Sequence, residues 1–182
     1  FNQQNLSFTV GGNFSILNGA TTFTHSNLLS VKKSFTLNAT MTFNQTSVVE
    51  FTANTLGQTI TSAGKTFTIV RFNGSGGEWI LQDNFKATSY VEHYTGIFRS
   101  NAKNIDFGSY FNARDFGTVK TIDFTGTDTV RVQYMFAMST NASAVLQIGN
   151  ATILIRQPVG TANTTSFFGG GKTYIDVVID AM

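Results

Sequence analysis

Cysteine is absent from the 182 residues, and only one proline interrupts them. Without thiols there is neither a disulfide framework nor a thiolate metal site. Charge is scarce as well: 12% of residues are Asp, Glu, Lys or Arg, against about 25% in an average domain. The pI near 9.0 rests on a surplus of two positive charges. Lys32-Lys33 is the only adjacent basic pair. Nucleic-acid binding needs clustered Lys and Arg to release counterions, so that class is set aside. No apolar run approaches the ~20 residues that a membrane helix requires. Ala, Leu, Glu and Lys are too few for a helical protein. No signal peptide opens the chain; beginning at Phe1, it reads as a segment of a longer protein.

What fills the space is Thr, Asn, Ser and Gly on the polar positions and eighteen Phe on the apolar ones. Thr and Phe favour strands, which makes this an all-β composition. The apolar residues follow a recurring pattern: two in alternation, then a large one four positions later. It appears at Phe8/Val10/Phe14, Leu29/Val31/Phe35, Trp79/Leu81/Phe85, Ile105/Phe107/Phe111, Val130/Val132/Phe136 and Ile153/Ile155/Val159, with a partial copy at Val49/Phe51. Alternation puts the first two on one face of a strand. A return every 20 to 30 residues is the signature of stacked structural repeats, each too small to bury a core alone. The expected fold is therefore a parallel β-helix, or β-solenoid, with irregular coils of about 20–30 residues. Residues 1–111 read as solenoid repeats. Residues 112–182 read as a divergent continuation or a β-sandwich-like C-terminal module. Asn73–Gly77, with three glycines, is the sharpest loop signal.

Several residues invite a chemical reading. Asp106 and Asp123 each occupy the polar slot of an Ile-Asp-Phe step. If they sat on adjacent coils they would form the carboxylate pair of a polysaccharide-cleaving enzyme, since such pairs lie about 5–10 Å apart. Solvent-facing strand residues explain them equally well. In Tyr90–Tyr94, alternation sets Tyr90, Glu92 and Tyr94 on one face, a ligand-binding candidate that would stack a sugar ring on aromatic surface; ordinary cross-strand packing is the bland alternative. His25 and His93 stand apart, with no ligand pair around either, so no metal is expected. No calcium-binding nonapeptide and no cofactor-binding pattern occurs, so no cofactor is expected either. The Thr-x-Thr steps at 22/24, 40/42 and 59/61 read as a β-favouring solvent face rather than an ice-binding ladder.

The stretch Gly57–Phe67, the Asn73–Gly77 turn, and Trp79–Phe85 together resemble the β-helical repeats of large Bacteroidota cell-surface proteins, and Phe8–Phe14 is similar to another strand of those repeats. The likeness covers about residues 1–111; later units lose the Gly-Asn turn and become bulkier. It implies export by the type IX secretion system and display on the cell exterior, often as an adhesin or gliding-motility protein. Secretion and outer-membrane machinery would then be met through other parts of the parent chain. Asp128-Thr129-Val130 resembles the O-glycosylation sequon of the same bacteria, which singles out Thr129. The expected function is a non-enzymatic structural or adhesive segment, forming a rigid stalk or a face that presents an extracellular polysaccharide or surface ligand. The alternative is a polysaccharide-degrading or carbohydrate-binding β-helix.

Overall fold

The computed structural model describes residues 2–3, 6–19, 21–114, 118–161 and 163–180, with Asn2 and Gln3 described in backbone only. No cis peptide is present among them, and no helix is long and apolar enough to cross a membrane. The chain winds as a sequence of short strands into a parallel β-solenoid with three sheets running along its axis. One sheet is traced by an inward column, Phe8, Leu29, Val49, Val70, Val91, Phe111, Phe136 and Phe167, each paired in parallel with the next. These eight positions mark eight coils. Their steps are 20 or 21 residues as far as Phe111, then 25 and 31.

The second sheet stacks Phe14–Ser15, Phe35–Thr36, Gln58–Thr61, the end of Thr66–Leu81, the end of Phe85–Arg99, Lys120–Asp123 and Ala144–Gln147. The third carries Thr22–His25 on Thr42–Gln45, then the starts of Thr66–Leu81 and Phe85–Arg99, Ile105–Asp106, Thr129–Val132, Thr152–Arg156 and Asp176–Asp180. Strands beyond residue 112 pair in parallel with those of the preceding coil, so the ladders run on without a sandwich.

The recurring apolar pattern proves to mark a corner rather than a coil. Phe8/Val10/Phe14 turns from the first sheet to the second, Trp79/Leu81/Phe85 from the second to the third, and Ile105/Phe107/Phe111 from the third to the first. Copies at 79, 105 and 130 are therefore out of phase with those at 8 and 29. The spacings of 30 and 26 residues, from 49 to 79 and from 79 to 105, arise from that phase shift, whereas Ile105, Val130 and Ile153 pair directly, so their 25 and 23 are true coil lengths, longer than the 20 or 21 of the early coils.

The core is a stack of rings. Phe14 and Phe35 lie 5.0 Å apart and 10° from parallel, Phe51 and Phe72 5.4 Å and 16°, Phe67 and Phe85 5.3 Å and 19°. Parallel strands one coil apart, about 4.8 Å, set ring upon ring without strain. Each fully buried Phe contributes roughly 2–3 kcal/mol of transfer free energy. Phe8 and Phe167, the first and last of the inward column, are only partly buried.

Asn73–Gly77 is not a loop. It lies inside the continuous strand Thr66–Leu81 and carries it round a corner as a bulge, the four residues between Asn73 and Glu78 facing one, Gly96, between Thr95 and Ile97. The glycines are there for contact: a Cβ on Gly74 or Gly77 would stand 1.9 or 2.0 Å from the Ala53 carbonyl oxygen. The Thr-x-Thr steps do not align into one ladder either. Thr22 pairs with Thr42 on the third sheet, Thr24 meets Asn44, and Thr59 and Thr61 belong to the second.

Candidate functional site

Outward side chains on neighbouring coils stand one above another, so each sheet presents columns of polar residues about 4.8 Å apart. On the first sheet the column runs Glu50, Arg71, Glu92, Asn112. Arg71 donates from Nε and Nη2 to the same Glu92 oxygen at 3.0 and 2.9 Å, and its Nη1 lies 3.6 Å from Glu50. The guanidinium also rests 4.9 Å over the Tyr94 ring, while the Tyr94 hydroxyl donates to Glu92 at 3.2 Å. Burial of Arg71 works against its charge, but the hydrogen bonds and charge of Glu92 outweigh it and hold its pKa above the ordinary value. Burial, with the charge of Glu92, pushes the Tyr94 phenol up.

Tyr90, Glu92 and Tyr94 do share the outer face, as alternation requires. Each of them is engaged in contacts within the protein. One Glu92 oxygen already accepts from three donors, and Arg71 covers a face of Tyr94. Tyr90 lies 4.9 Å from Tyr110 with the planes 10° apart, and Tyr110 is 5.8 Å from Tyr134. This is a tyrosine ladder along the axis, its ring faces turned on one another. Cross-strand packing accounts for it.

The second sheet has a matching arrangement. Arg99 donates at 2.6 Å to both Glu78 and Asp123, on the coils before and after it. Glu78 accepts the Gly57 N–H as well, at 2.9 Å. The Arg99 hydrogen bond lowers the Glu78 pKa against the opposing effect of burial. Asp123 is thus the end of a charge ladder. Asp106 stands on the third sheet and spends one oxygen capping the Gly108 N–H at 3.0 Å. The two aspartates project from different sheets, so the carboxylate pair considered from the sequence does not form.

Both histidines face inward. His25 is enclosed beside Phe8 and Phe23, with neither ring nitrogen hydrogen-bonded. His93 donates from Nε2 to the Gly96 carbonyl at 3.1 Å; burial, with the nearby charge of Lys120, depresses its pKa to about 3. No group of three or more His, Asp or Glu that could hold a metal ion occurs among the described residues.

The third sheet behaves differently. Lys86, Asp106 and Arg131 follow one another on consecutive coils, a carboxylate between two cations, and no ion pair closes between them within 4.0 Å. They line an open groove of about 480 Å³ together with Lys65, Asp128 and Thr129. Asp106 and Arg131 also border a second hollow of about 210 Å³ beside Arg156 and Gln157, so the two depressions form one trough along the axis. Thr129 sits half-buried at the trough wall, paired with Thr152.

Sequence reasoning found Asp106 and Thr129 but missed the trough. The signal was present: Lys86, Asp106 and Arg131 each fill the polar slot of an apolar-x-apolar step, at Phe85-Lys86-Ala87, Ile105-Asp106-Phe107 and Val130-Arg131-Val132. Starting that unit at Trp79 rather than Phe85 hid the alignment. A scan of family models, a search of curated proteins and a search of solved structures each find no match to this chain.

Proposed function

We propose that the chain is a rigid, ligand-presenting segment of an exported bacterial cell-surface protein. Its role is structural and adhesive: it holds a long flat surface at a fixed geometry. One observation carries this reading. Outward charges on two of the three sheets are cross-linked from coil to coil, Glu50–Arg71–Glu92 on one and Glu78–Arg99–Asp123 on the other. A ladder of ion pairs and stacked rings along an axis stiffens a rod, because each coil is braced by both neighbours. A Thr-, Asn- and Ser-rich exterior with few charges suits exposure outside the cell. Export by the type IX route belongs to this reading through the resemblance of residues 1–111 to such surface repeats.

The test is protease shaving of intact source cells, followed by mass spectrometry. Peptides bounded by Lys86, Arg99 and Arg131 are expected in the shaved fraction while cytosolic markers stay behind. Their release only after lysis would overturn the surface role.

A further inference from the structure

The three charge ladders are not equivalent, and the difference points to a binding site. On the first and second sheets an arginine lies between two carboxylates and pairs with both. On the third sheet the order is inverted, Lys86–Asp106–Arg131, and the ladder stays open. Lys86, Asp128 and Arg131 are exposed, and among the described residues no hydrogen bond or ion pair engages their charged groups. Lys65 donates to the Ala39 carbonyl at 2.6 Å. Asp106 keeps an oxygen free beside its bond to Gly108.

We propose that this trough binds one chain of an acidic, carboxylate-bearing polysaccharide lying along the solenoid axis. Lys86 and Arg131 are two coils apart, about 10 Å, and would each take a uronate carboxylate, with Asp106 between them accepting from sugar hydroxyls. The proposal rests on the ligand-presenting part of the reading above and gives it a site and a ligand class.

Four features select that class. The trough runs with the coils, so successive sugar units meet side chains set about 4.8 Å apart along one column. Its aromatic residue, Phe85, is turned inward and buried, so there is no ring on which a neutral sugar would stack and recognition depends on charge. Asp106 and Asp128 among so few cations oppose a phosphate backbone, which needs clustered Lys and Arg. The sheet's backbone groups are already paired from coil to coil here, which leaves no edge for an added peptide strand.

The test is calorimetric titration of the full chain with polygalacturonate at about 0.05 M salt and again at about 0.5 M, where screening is severe. Carboxyl-reduced polygalacturonate and dextran sulfate serve as comparison ligands. Lys86→Ala combined with Arg131→Ala changes exposed residues, and its fold is checked by the melting curve. The double variant is expected to lose about tenfold in affinity. Lys32→Ala combined with Lys33→Ala, far from the trough, is expected to stay within about twofold. Salt should weaken binding and the reduced polymer should not bind. Equal loss in both double variants, equal binding of the reduced polymer, stronger binding of dextran sulfate than of the uronate, or no binding of polygalacturonate would each overturn the proposal. Shaving of intact cells reads the surface role separately, so either can fail alone.

Discussion

The Asp83 carboxylate closes over the backbone of Ser62, one coil earlier, accepting from its N–H at 2.9 Å and from its hydroxyl at 3.0 Å. The N–H of Ala63 also points into this carboxylate. Ala63 and Gly64 both have positive φ, 52° and 74°, a pair of left-handed residues that turns successive N–H groups toward one anion. Ser62 is fully buried.

Replacing Asp83 by Ala leaves the N–H groups of Ser62 and Ala63 without this acceptor, while the Ser62 hydroxyl keeps the Asn84 carbonyl at 3.2 Å. A loss of about 2–3 kcal/mol is expected, the value of charge-assisted bonds to buried donors. Asp83→Asn should recover part of it. Chemical denaturation of both variants checks the order, and an Asp83→Ala protein as stable as the parent would contradict it.

The bulge from Asn73 to Glu78 makes a second expectation. Gly77→Ala drives a Cβ to 2.0 Å from the Ala53 carbonyl oxygen and 2.6 Å from its carbon, backbone atoms that cannot rotate away. The corner must shift, at a cost of about 1–3 kcal/mol or more. Gly57→Ala meets no atom within 4 Å, and its cost is limited to the strain of φ +75°. Thermal melts of the two single variants should rank Gly77→Ala lower.

Lys120 supplies a third. Its side chain is buried, and Nζ donates to the carbonyls of His93, Ala113 and Arg114 at 3.1, 3.3 and 3.2 Å. Lys120→Met keeps the volume and strips three carbonyls of this donor, so a loss of roughly 1–3 kcal/mol is expected. The exposed Lys86→Met should stay within about 0.5 kcal/mol. Urea midpoints of the two proteins make the comparison.

The solenoid was legible because its physics is local. Alternation at Phe8/Val10 and Leu29/Val31 fixes which side faces inward, and a return near 21 residues fixes the stacking. Phase was not legible, since a corner from Leu81 to Phe85 and a corner from Val10 to Phe14 use the same apolar spacing. That ambiguity misaligned the later units and hid the Lys86–Asp106–Arg131 column. Composition could not expose Lys120 either: a lysine beside Val119 and Thr121 reads as a surface residue, and only the carbonyls of His93 and Ala113 converging on it turn it inward. At Tyr90, Glu92 and Tyr94 the face was foreseen, but Arg71, whose reach is set by register, decides what that face is free to do.

The buried imidazole of His93 gives the pH dependence its sign. In the fold its pKa is depressed from the ordinary 6.5 to about 3, by burial first and the charge of Lys120 second. The unfolded chain therefore takes up a proton that the folded one refuses. Stability from this group is fully present above pH 6.5 and is lost as pH falls toward about 3, at about 1.4 kcal/mol per pH unit. Glu78, whose pKa is lowered by Arg99, adds a loss in the same direction, but only below its ordinary 4.5. Between pH 6.5 and 5 the slope should thus shrink in His93→Gln, which can still donate to the Gly96 carbonyl, while remaining intact in Glu78→Gln. Denaturation midpoints across that interval measure it, and an unchanged slope in His93→Gln would show that this histidine stays neutral for no energetic reason of the fold.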